Sequence, residues 1–98
     1  MNEKHAACVI GHISVKDPTK WAEYCSRVPA TIAPWNAELL FRGQRASVLG
    51  GEHHRSDTVV LRFPDLDAVN GWFQSAAYQA LIPLRQEAAE VDLISFEA

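Results

Sequence analysis

An α+β chain of order β-α-β-β-α-β is the fold this sequence predicts, and three observations carry the prediction. Asp57 to Phe63 (DTVVLRF) is an apolar, β-branched run stopped by Pro64, which cannot donate to a sheet ladder. Asp65 then caps an aromatic-rich helix, so strand, stop, cap and helix form one β-α unit. A matching unit precedes it: Ala7 to Val15 (ACVIGHISV) runs into Asp17-Pro18, an acidic cap followed by a proline in the first turn, where its missing N–H costs nothing.

In the first strand Cys8, Ile10, His12 and Ser14 share one face, and Val9, Gly11, Ile13 and Val15 share the other. Apolar residues on both faces predict burial on both sides. After Asp17, the residues Trp21, Tyr24, Cys25 and Val28 recur at i, i+3, i+4 and i+7, one apolar stripe to lay on a sheet. Pro29 should bend or interrupt this helix, and Pro34 should end the turn that follows. Glu38 to Leu49 is expected to be extended, with Gly43 a bulge or a point of close approach, and Gly50 to Ser56 is the expected loop. The helix after Asp65 should bury Leu66, Val69, Trp72 and Phe73. Ser75 should cap a renewed helical stretch with Tyr78, Leu81 and Leu84 inward and a kink at Pro83. Val91 to Phe96 (VDLISF) is the last expected strand.

This order is the split unit of ferredoxin-like folds, a four-stranded antiparallel sheet with both helices on one face. The other face should not be left to water, since Ile10, Phe41, Val60 and Leu93 are assigned to it. For so short a chain the expected cover is a second copy, which makes a homodimer.

With 98 residues, the chain is expected to be one domain spanning residues 1–98. Hydrophobic residues at 48% and charged ones at 21% describe a chain that folds rather than one that stays disordered. Nine basic against twelve acidic residues leave a net charge of -3, which argues against a phosphate-binding surface and a nucleic-acid partner. Met1 to His5 lacks the start of a secretion signal, and no apolar run approaches the roughly 20 residues that span a bilayer. A cytoplasmic protein with no membrane partner is expected. Cys8 and Cys25 have no metal or redox spacing and read as buried, reduced thiols.

The pattern Asp17-Pro18, Trp21, Tyr24, Leu40-Phe41-Arg42-Gly43, Phe63-Pro64, Trp72-Phe73, Ser75, Tyr78-Gln79 and Leu84-Arg85 resembles a bacterial domain-of-unknown-function family, the one numbered thirteen-thirty. The resemblance covers nearly the whole chain, from about Val9 to Glu97, and the departures from it fall mostly at turns. That family belongs to the dimeric α+β barrel superfamily, so the resemblance implies the same homodimer. The wider superfamily includes cofactor-independent monooxygenases, muconolactone isomerase-like and polyketide cyclase-like enzymes and haem-degrading proteins, beside members without established catalysis. It implies a fold rather than a reaction.

Arg42 and Arg85 are the first candidate ligand-binding residues, because a guanidinium beside an apolar pocket clamps a carboxylate or enolate. Their plainer role is to pair with a carboxylate or a helix-end carbonyl. Trp72, Phe73 and Tyr78 are candidates for the wall of a flat pocket, with the phenol as a polar handle, or else simply core. His12 is a candidate proton carrier with Tyr78, or else a satisfied histidine on the dimer side. Glu52, His53 and His54 read as a solvated loop, Ser75 as a cap, and Asp65 and Asp67 as first-turn acids. The expected function is binding of a small anionic or aromatic molecule, with no cofactor. Isomerisation, cyclisation or oxygenation is the enzyme class in view, and a non-catalytic dimer is the alternative. Haem or metal handling would need a histidine in the same concavity.

Overall fold

The computed structural model describes residues 5–98; Met1 to Lys4, read above for a secretion signal, lie outside the described residues. The elements are β1 (Ala7–Val15), α1 (Pro18–Ile32), a 3-10 turn (Ala33–Trp35), β2 (Glu38–Gln44), β3 (Asp57–Phe63), α2 (Leu66–Gln74), α3 (Ala76–Gln79), α4 (Ile82–Ala88) and β4 (Ala89–Glu97). They build a ferredoxin-like α+β fold, a four-stranded antiparallel sheet of order β2-β3-β1-β4.

The caps act as the sequence dictates. Asp17 accepts from the N–H groups of Thr19 and Lys20, both at 3.1 Å, and Asp65 accepts from that of Ala68 at 2.8 Å. The Ser75 hydroxyl donates to the Trp72 carbonyl at 2.6 Å and accepts from the Tyr78 N–H at 3.2 Å, so one side chain closes α2 and opens α3.

Several boundaries differ from expectation. Pro29 does not interrupt α1, because Tyr24 before it and Thr31 and Ile32 after it are all buried, and packing outweighs the one lost helix bond. Pro83 falls in the first turn of α4, where it is harmless; the helical break lies instead between α3 and α4. The strand β2 stops at Gln44 rather than Leu49, since its last rung is Gln44 opposite Asp57 and the chain then leaves the ladder. Its irregularity lies between Leu39 and Phe41, not at Gly43. Gly43 is the point of close approach, because a Cβ there would stand 2.6 Å from the Phe41 ring. Phe73 is 40% exposed rather than buried, and β4 begins two residues before Val91.

One face of the sheet carries the core. Val9 of β1 and Leu61 and Phe63 of β3 pack under Tyr24, Val69, Trp72 and Tyr78. Each such side chain contributes about 1.5–3 kcal/mol relative to exposure. On the opposite face lie Ile10, Val60 and Ile94 in one row and Cys8 and Phe96 in the next, with Phe41 opposite Val60. Leu93, assigned to that face from sequence, belongs to the helix side: it pairs with Gly11 and packs against the core. Leu93 and Ile94 are both apolar, so alternation does not mark their faces, and a one-residue shift exchanges them.

Candidate functional site

A cavity of about 50 Å³ lies between α1 and the sheet. The α1 stripe of Trp21, Tyr24, Cys25 and Val28 forms one wall, while Ile13, Val59, Leu61, Leu93 and Trp72 form the rest of its apolar lining. Arg42 and Asp57 supply its charged groups. That volume holds a few waters or the apolar end of a small molecule. A second recess of about 200 Å³ between α2 and β4 shares Trp72 and Leu93 with the first but has no charged lining residue.

The bulge in β2 is what brings Arg42 to the cavity. Before it, Leu39 pairs with Leu61; after it, Phe41 pairs with Val60 and Arg42 with Val59. The extra residue, Leu40, resets the alternation, turning Phe41 to the open face and Arg42 to the helix side, as bulges beside functional sites do. Among the described residues the Arg42 guanidinium makes no hydrogen bond or ion pair there. Lys16, Lys20, Arg27, Arg45, Arg55, Arg62 and Arg85 each reach an acid, a carbonyl or a hydroxyl. Among the described residues Arg42 is the basic side chain that reaches none.

Arg85 is committed elsewhere. Its Nη1 donates to the Tyr78 hydroxyl at 2.8 Å, and that oxygen lies 2.8 Å from the Tyr24 hydroxyl. Tyr78 is 0% exposed and packs on Trp72 with ring centroids 4.3 Å apart. Trp72 is fixed in turn: its Nε1 donates to the Thr31 hydroxyl at 3.0 Å, which donates to the Val28 carbonyl at 2.7 Å. Burial first, then the neighbouring Tyr78, pushes the Tyr24 phenol far above its ordinary range, so it stays protonated. Burial also raises the Cys25 thiol, with Arg42 opposing the shift.

His12 lies on the other face of the sheet. Its Nδ1 is 3.1 Å from the Thr58 hydroxyl, and its ring makes an edge contact with His53 at 4.8 Å. The cavity lining contains no histidine. His54 and Glu52 are exposed and 3.9 Å apart, and among the described residues no group of three His, Cys, Asp or Glu is placed to hold a metal.

The structure therefore brings Arg42 and Trp72 together at the cavity and sets Tyr78 and Arg85 behind Tyr24, leaving His12 apart. Tyr24, Cys25 and Asp57 line the cavity without having been singled out from sequence. The signal for the first two was the α1 stripe itself; for Asp57 it was sharing a strand face with Val59 and Leu61.

The chain belongs to the family described as a domain of unknown function (DUF1330), whose model matches residues 6–98. No curated protein matches the sequence. Among solved structures, the chain is similar to a protein of unknown function from Rhodopseudomonas palustris, with TM-score 0.82 and 14% identity over 98% of this chain and 84% of that one. It is similar to SnoaB, a cofactor-independent oxygenase from Streptomyces nogalater, with TM-score 0.67 and 12% identity over 98% and 94% of the two chains. A dimeric ferredoxin-like protein of unknown function from Thermobifida fusca aligns with TM-score 0.65 and 12% identity over 100% and 95%. These likenesses are of fold.

Proposed function

We propose that this protein is a homodimer that binds a small organic anion in the α1 cavity of each subunit, the anionic group pairing with Arg42 and the apolar part entering between Trp21, Cys25 and Trp72. The observation that carries this reading is a guanidinium at an apolar cavity that makes no hydrogen bond or ion pair among the described residues. Arg42 is exposed at the cavity, and the planar fork of its guanidinium is one that a carboxylate or enolate satisfies bidentately. The cavity of about 50 Å³ limits the buried part of the ligand to a few heavy atoms. The apolar row on the open sheet face supports the dimer, as does the dimeric description of the Thermobifida fusca relative. Two unpaired cysteines suit a reducing compartment such as the cytoplasm.

A guanidinium and a protonated phenol both stabilise negative charge developing on oxygen. The reactions such a site suits are proton transfer, isomerisation or oxygenation of an enolisable ligand without a cofactor. A dimer that binds without turnover is the alternative, and product analysis after incubation with the bound acid separates the two.

The test is a thermal-shift screen of wild type and Arg42→Ala against small organic acids. An acid that binds raises the wild-type melting temperature with the logarithm of its concentration. Arg42→Ala should lose that shift while its unliganded melting temperature stays within about 2 °C of wild type. An equal shift in the variant rules out Arg42 as the anion site.

A further inference from the structure

The two buried phenols beside the cavity have one proton too many. Tyr24 is 7% exposed and Tyr78 0%, and their hydroxyl oxygens are 2.8 Å apart. Arg85 can only donate, so its bond to Tyr78 occupies a lone pair and takes up no hydroxyl proton. One hydroxyl hydrogen serves the bond between the tyrosines. The other has no acceptor among the described residues.

The two ways of arranging those protons are not equivalent. When Tyr24 donates to Tyr78, the spare proton sits on Tyr78, which is fully enclosed beside Trp72 and Phe73 and does not line the cavity. When Tyr78 donates to Tyr24, the spare proton sits on Tyr24, which does line it. The charged donor Arg85 polarises the Tyr78 hydroxyl and makes it the better donor of the two, which favours the second arrangement. A buried donor without an acceptor is costly, and in that arrangement a ligand can relieve it. The phenol also keeps its proton at neutral pH, held there by burial.

We propose that Tyr24 is a ligand-binding residue, and that the cavity takes an oxo or enol acid: a small molecule whose anionic group pairs with Arg42 and whose second oxygen accepts the Tyr24 proton. Tyr78 and Arg85 are then positioning residues that turn this proton toward the cavity. The inference rests on the anion site at Arg42 described above.

The probes are a matched pair of branched acids, α-ketoisocaproate and isocaproate, differing in the one keto oxygen and titrated to millimolar concentration with amide chemical shifts as the readout. Wild type should bind the keto acid about tenfold tighter, the value of one well-made hydrogen bond. Tyr24→Phe should bring the ratio of the two affinities close to one, and Tyr78→Phe gives a second measurement of the same ratio. A wild type without the preference, or variants that both keep it, overturns the role of Tyr24 alone. Failure of wild type to bind either acid, or undiminished binding of both by Arg42→Ala, overturns the anion site and this inference with it.

Discussion

The two faces of the sheet solve the same problem differently. On the covered face, apolar residues of β1 and β3 meet helices from their own chain, and that packing leaves the cavity under α1 and the recess between α2 and β4. On the open face, the polar end is satisfied within the chain. Arg55 spans Glu90 at 2.8 Å and Asp92 at 3.3 Å, and His12 meets Thr58 and His53. The apolar end finds nothing comparable: Phe41 is 60% exposed, and Ile94 and Phe96 are open as well. Polar groups close locally through hydrogen bonds, whereas an apolar row of this width needs another apolar surface. The difference separates what this chain completes alone from what the proposed dimer would complete.

Breaking the covered face should have the largest effect. Trp72→Ala removes the wall shared by both recesses and the bond to Thr31, and should cost about 3–5 kcal/mol in urea denaturation. On the open face, Ile94→Glu places a charge in the row that the proposed second copy would cover. It should weaken association by about 2 kcal/mol, near thirtyfold in the dimer dissociation constant, while leaving the circular dichroism spectrum unchanged. Arg85→Ala leaves Tyr78 without its charged donor and should cost about 1–2 kcal/mol, in contrast to the near-neutral Arg42→Ala. A smaller effect is alkaline. The folded chain holds the Tyr24 proton above the value near pH 10 at which an unfolded tyrosine ionises, so this stabilisation is complete below about pH 10 and is lost as pH rises beyond it, by up to about 1.4 kcal/mol per pH unit. Melting temperatures measured from neutral to high pH should show Tyr24→Phe declining less steeply than wild type.

How much of this was legible in sequence depends on how many elements a feature needs. β1 and β3 fall at the residues expected, because an apolar β-branched run and a following acidic cap are local signals. β2 is shorter than its composition suggests, since Ser47-Val48-Leu49 looks strand-like and nothing in it reveals that β3 has no residues left to pair with it. The face of Leu93 is not legible, for want of alternation around it. Arg42 was visible as a guanidinium in an apolar setting, but the bulge that aims it at the cavity depends on pairing between β2 and β3. Tyr24 and Tyr78 are 54 residues apart, and no spacing rule predicts that their hydroxyls meet. Asp57 joins the cavity only through its strand face.

The measurement that bears most directly on the division between the faces is the molar mass of the wild-type protein by light scattering at micromolar concentration. A value of twice the 10.9 kDa of one chain is predicted, falling toward a single chain in Ile94→Glu. A wild-type mass of 10.9 kDa would contradict the account, because the apolar row on the open face would then stand in water without a second copy.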